Sequence, residues 1–143
     1  MADYELTVKD NSGEILKLIQ AASKKALEAI GAQAEGYAKQ NLTDFPRVDT
    51  GRLRNSVAHK VIDNEQEKAV YIGTNVFYAP YVEWGTGRFA DNGKGRKTAW
   101  KYVDKNGVGH WTVGMRPSHF LRNAVSQHQR DYIEILRAAL GAE

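Results

Sequence analysis

Cysteine is absent from the 143 residues. That removes disulfides, thiolate nucleophiles and cysteine-ligated zinc or iron–sulfur sites, and it fits a reducing birthplace. Proline is scarce, with three residues, and no apolar run approaches the ~20 residues of a membrane span. The opening Met1-Ala2-Asp3-Tyr4-Glu5 has neither the basic nor the apolar region of a signal peptide, so a soluble, non-secreted protein is expected. No internal repeat and no linker is visible, and a chain of 143 residues suits a single domain spanning 1–143. Charge of one sign is also lacking: 20 basic and 17 acidic residues are interspersed, a solvated surface before it is a nucleic-acid footprint.

Periodicity supplies the elements. Tyr4 to Lys9 alternates apolar and polar residues, which predicts a strand. Asn11 and Glu14 have capping-box spacing and precede an Ala/Leu/Lys/Glu-rich segment, read as one helix from about Ser12 to Asn41. Its apolar stripe runs through Ile15, Ile19, Ala22, Ala26, Ile30, Ala34, Tyr37 and Ala38, while Lys17, Lys24, Lys25 and Glu28 stay wet. At 1.5 Å per residue this helix would span ~45 Å, long enough to reach past its own core toward a neighbour. Gly31 and Gly36 mark places where it could bend.

After Pro46, the run Asp49 to Ser56 reads as a capped turn or short helix, and Val57–Ile62 with Ala69–Thr74 as a hairpin. Ala79 to Trp84 is too short for a full helix, has Pro80 in its first turn and is stopped by Gly85. A Gly-rich basic segment at about 85–98 reads as a flexible loop. Asn106-Gly107 then predicts a two-residue hairpin turn that would place Trp100, Tyr102 and Trp111 on one sheet face. Pro117-Ser118 precedes a helix expected from about His119 to Leu140, with a stripe through Leu121, Ala124, Val125, Tyr132, Leu136 and Ala139. The fold class is α+β: a long N-terminal helix and a C-terminal helix packed against an antiparallel β-sheet.

Chemistry is harder to find. His110, His119 and His128 are spaced by nine and none pairs at i, i+4, so a helical metal site is not expected. Gly85-Thr86-Gly87-Arg88-Phe89-Ala90 has the letters of a dinucleotide fingerprint, but polar residues follow where a helix should begin. Gly93-Lys94 lacks the remaining residues of a P-loop. Ser56 and His59 would point to opposite faces of a strand. Glu83, set among aromatics, is either a buried acid of raised pKa or the partner of an arginine, and pairing is favoured. No constellation rises to an active site, and no catalytic residue, cofactor or metal is assigned.

Three stretches together resemble a family: Asp49-Thr50-Gly51-Arg52-Leu53-Arg54-Asn55-Ser56, Tyr78-Ala79-Pro80-Tyr81-Val82-Glu83-Trp84-Gly85-Thr86, and Arg116-Pro117-Ser118-His119-Phe120-Leu121-Arg122-Asn123-Ala124. Their order and spacing are similar to those of the tail-completion, or neck, proteins of long-tailed bacteriophages and prophages. Ser118-His119 stands between Pro117 and Phe120, where the family pattern runs directly from Pro to Phe. The resemblance implies a non-enzymatic virion protein, a homo-oligomer forming a hexameric ring at the head–tail joint and able to remain monomeric in isolation. Its partners would be connector or tail proteins, with DNA passing through the lumen and no membrane. It would occupy the virion neck, reached from the host cytoplasm during assembly. Tyr78, Tyr81, Glu83, Trp84 and Thr86 are the expected interface residues, and Arg88, Lys94, Arg96 and Lys97 the expected partner or DNA contacts. A tail terminator or other minor tail ring is the alternative within that class; a nucleic-acid-binding protein using the basic 88–97 loop is the alternative outside it.

Overall fold

A computed structural model describes residues 6–8, 13–45, 50–104 and 106–141. The element order is β1 (Leu6–Val8), α1 (Gly13–Ala21), α2 (Lys24–Thr43), α3 (Thr50–Ser56), β2 (Ala58–Asp63), β3 (Lys68–Thr74), α4 (Ala79–Trp84), a 3-10 turn (Gly87–Phe89), β4 (Trp100–Val103), β5 (Gly109–Thr112), α5 (Phe120–Ser126) and α6 (Gln129–Gly141). This is the expected α+β class. An antiparallel sheet of order β1-β3-β2 carries the helices, and β4-β5 forms a separate ribbon. The proposed cap at Asn11 lies outside the described residues.

The expected single N-terminal helix is two. Ser23 leaves helical geometry (φ −76°, ψ 158°), and its hydroxyl accepts the Ala26 N–H at 3.3 Å, capping α2. The Lys68 ammonium donates to the Ala22 carbonyl at 3.0 Å and so satisfies the end of α1. A serine competing for the backbone, met by a lysine from β3, outweighs the helix-forming residues on either side. The ~45 Å reach therefore falls to about 30 Å for the 20 residues of α2.

The buried face of α2 carries Ala26, Leu27, Ile30, Ala34, Ala38 and Leu42, at near i, i+4 steps. It packs on Leu53 and Val57 at the end of α3, on Ile72 of β3, and on Phe120, Leu121, Ala124 and Leu136 of the last two helices. The helix runs unbroken through both glycines. Gly31 is there for space: an added Cβ would lie 2.9 Å from Cγ of His59, whose ring fills that gap. The His59 imidazole is held by Glu35 Oε1 at 3.1 Å and Glu28 Oε2 at 3.0 Å, tying β2 to α2.

The C-terminal helix is also divided, at Gln127-His128, where the His128 ring stacks on Tyr37 with centroids 3.5 Å apart. Tyr37 in turn donates to Asp131 Oδ2 at 2.6 Å, and the buried Tyr132 hydroxyl donates to the Ala124 carbonyl. Of the predicted stripe, Leu121, Ala124, Tyr132 and Leu136 are buried, whereas Ala139 is exposed.

The second hairpin differs from expectation by one position. Trp100 pairs with Thr112, Lys101 with Trp111 and Tyr102 with His110. The turn uses a left-handed Gly107 (φ 80°), and Asp104 Oδ1 accepts the N–H groups of Asn106 and Val108 at 2.8 and 3.0 Å. One extra turn residue shifts the register, and in a strand a one-residue shift flips every side chain. Trp111 consequently faces away from Trp100 and Tyr102, and the three aromatics do not share a face.

Candidate functional site

Two of the three sequence stretches meet around α4. Thr74 Oγ1 accepts the Val76 N–H at 3.1 Å and turns the chain out of β3, and Pro80 stands in the first turn of the short helix. Ala79, Val82 and Glu83 are buried, which turns the opposite face outward. Tyr81 (56% exposed) and Trp84 (41%) lie on it, continued by Phe77 (66%), at spacings of four and three. Tyr78 is half-buried and packs edge-on against Phe77, 5.3 Å between centroids. Phe77 was not among the expected residues, although its spacing to Tyr81 was visible.

Glu83 is fully buried, which takes it off the surface where an interface residue was expected. Among the described residues no arginine side chain pairs with it either. Its Oε1 accepts the Leu121 N–H at 2.8 Å and its Oε2 the Arg122 N–H at 3.3 Å, so it caps α5 from 38 residues away. The Glu83 carbonyl accepts the His119 N–H at 3.0 Å, and the Val82 carbonyl accepts both the Ser118 N–H (2.9 Å) and hydroxyl (2.7 Å). Ser118-His119 is thus the joint itself: His119 adopts a left-handed conformation (φ 51°), the Phe120 N–H turns back to Ser118 Oγ at 3.3 Å, and the Leu121 and Arg122 N–H groups face the carboxylate. Its ring lies between Glu83 Oε2 at 3.6 Å and Asp91 Oδ2 at 3.1 Å, and links the joint to the loop beyond α4. Burial pushes the Glu83 carboxyl above its ordinary range, while the two backbone N–H groups and the His119 imidazole pull it back.

The glycines after α4 serve backbone packing. Gly85 (φ 79°) has no room for a side chain, since a Cβ would stand 2.8 Å from the Met115 carbonyl oxygen. Thr86 N–H donates to that oxygen at 2.9 Å, Thr86 Oγ1 accepts the Met115 N–H at 2.9 Å, and Arg88 N–H donates to the Val113 carbonyl at 2.8 Å. Gly114 fits against Gly87, where a Cβ would come within 2.9 Å of the Gly87 Cα. The Gly-x-Gly letters therefore mark a crossing of two chain segments. Beyond the crossing, Arg88, Lys94, Arg96 and Lys97 are all exposed on one loop, with Arg96 over the Trp100 ring at 5.6 Å.

The remaining stretch supports the fold. Leu53 of α3 is buried, and Ser56 Oγ lies 2.6 Å from both the Leu53 carbonyl and Thr74 Oγ1, at the approach to α4. Ser56 and His59 do not converge, because the His59 ring is engaged by Glu28 and Glu35 on α2. Among the described residues no group of three or more His, Asp or Glu side chains could hold a metal ion, and no helix is long and apolar enough to cross a membrane.

What the fold and this region define is a small α+β protein whose outward aromatic strip rests on a buried capping carboxylate. Residues 7–85 match the family model described as "Bacteriophage HK97-gp10, putative tail-component", more than half of the chain. The chain belongs to this family of phage tail components. No curated protein and no solved structure matches it.

Proposed function

We propose that the protein is a tail-completion component that joins the phage tail to the head as one subunit of a closed ring, acting by shape and contact and not by catalysis. The observation that carries this reading is the strip Phe77, Tyr81 and Trp84. It is exposed on a helix too short to move independently and fixed from behind by Glu83, within a phage tail family. Rigid aromatics are the side chains that concentrate binding energy at protein contacts. Tyr78 and Thr86 flank the strip as its supports, and Glu83 contributes from inside by holding α4 against α5. A ring at a DNA-conducting joint follows from head-to-tail contacts that close by rotation. A hexamer of chains that are monomeric before assembly, meeting connector or tail proteins above and below in the virion neck, is the form this takes.

The test is a phage carrying Trp84→Ala or Tyr81→Ala subunits that stay folded. Unjoined heads and tails are expected to accumulate. Normal joining with both variants would reject the strip as the contact.

The exposed cations Arg88, Lys94, Arg96 and Lys97 favour a second reading, in which this loop touches DNA. Binding of the purified protein to duplex DNA that weakens steeply with salt, and fails when these residues become alanine, would support it.

A further inference from the structure

The β4-β5 ribbon has no sheet of its own to join. Among the described residues its strands pair only with each other, yet it exposes Trp111 (72%), Val103 (65%) and Val108 (53%). A lone two-stranded hairpin is marginal in water, and large apolar side chains at its tip add to that cost unless something covers them. Lys101 is the cross-strand partner of Trp111, and its side chain lies along Gly109, so cation and indole present together on one face.

The same chain carries a surface of matching chemistry elsewhere. The β2-β3 ladder turns His59, Val61 and Ile72 toward α2, leaving Ala58, Lys60, Ile62, Tyr71 and Gly73 on the other face. Over these lies an open hollow of about 460 Å³, whose lining includes Gly73, Tyr71, Ile62, Lys60 and Glu67. The adjoining turn Asp63-Asn64-Glu65-Gln66-Glu67 has three acidic residues and no basic one. From Lys94 to Thr112 there are five basic residues against one acidic.

We infer that the β4-β5 ribbon is an arm that docks onto a second copy of this chain, Trp111 entering the hollow over Gly73 while Lys101 meets the acidic 63–67 turn. The two surfaces are different parts of one subunit, so the contact is head-to-tail and propagates around a ring. Charge complementarity selects another copy as the occupant and fixes its register. This rests on the ring assembly proposed above and names a contact for it that is separate from the α4 strip.

The absence of cysteine makes the test direct, because introduced thiols are the only ones present. Lys101→Cys and Glu65→Cys are placed together in one chain, assembled into particles, and treated with a short bis-maleimide. A ladder of covalent oligomers is expected, and none with Lys101→Cys plus Lys24→Cys. Trp111→Ala, at a position too exposed to disturb folding, is expected to weaken self-association about tenfold or more. A ring visible in particles without 101–65 cross-links, or with association unchanged in Trp111→Ala, overturns the arm and leaves the ring standing. Cross-linking of position 101 to a different virion protein also overturns it. Particles with no ring of this protein would remove both the arm and the assembly reading beneath it.

Discussion

Replacing Glu83 tests whether one buried carboxylate organises the region. In Glu83→Ala the Leu121 and Arg122 N–H groups, in the first turn of α5, lose their acceptor. An unsatisfied buried donor costs about 1–3 kcal/mol, and hydrogen bonds to a charged group lie at the upper end. The Arg122 bond, at 3.3 Å and part-buried, weighs less than the Leu121 bond at 2.8 Å. Adding the space left by the side chain gives a loss of roughly 3–5 kcal/mol. Glu83→Gln keeps one acceptor oxygen but turns an amide NH2 toward the second N–H, so roughly half that loss is expected. Urea unfolding gives the stability, and amide exchange at Leu121 reports the cap locally. A loss under about 1 kcal/mol in Glu83→Ala, with Leu121 exchange unchanged, would refute the capping argument.

Other expectations follow from the same packing. Gly31→Ala should destabilise by about 1–2 kcal/mol, because the clash with the His59 ring exceeds the ~1 kcal/mol helix-propensity gain; in a His59→Ala background the sign should reverse, read by a denaturation double-mutant cycle. Burial opposes charge on His59, but Glu28 and Glu35 outweigh it and raise its pKa, so its stabilisation is full below about 6.5 and is lost as pH rises through the higher folded value. Burial likewise opposes charge on Glu35, yet His59 and Lys39 lower its pKa, so its share is present above about 4.5 and lost as pH falls through the folded value; thermal unfolding across pH should lose the His59 slope in His59→Ala and keep a weakened Glu35 slope, which Lys39 still supports. Hydrogen exchange should divide the 85–98 loop, slow at Thr86 and Arg88, where N–H groups bond Met115 and Val113, and fast across the exposed residues 96–98.

Much of the element order could be read from residue patterns, since burial on α2 and in the C-terminal helices follows the spacing of their apolar residues. The breaks could not. The apolar periodicity runs one helix through Ser23, and the Lys68 ammonium that meets the Ala22 carbonyl comes from 46 residues away, beyond any local pattern. At the break between α5 and α6 the His128 ring stacks on Tyr37 of another helix, a contact that no local pattern announces. Asn106-Gly107 correctly marked a turn, yet Asp104 just before it signals the longer turn that moves Trp111 to the opposite face. Glu83 was singled out for its type and neighbours, but its partners are backbone N–H groups, which leave no trace in a side-chain pattern. With the N-terminal helix divided, the surplus apolar surface that suggested a partner lies in α4 and the β4-β5 ribbon.

The central claim is that this protein closes into a ring at the head–tail joint, and imaging that joint in intact virions tests it most directly. Density for a closed ring of α+β subunits between head and tail is expected, with the Phe77, Tyr81 and Trp84 strip buried against a neighbouring chain and lost from joints built with Trp84→Ala. A well-resolved joint in which every subunit is accounted for by other proteins, or in which this strip faces solvent, would contradict it.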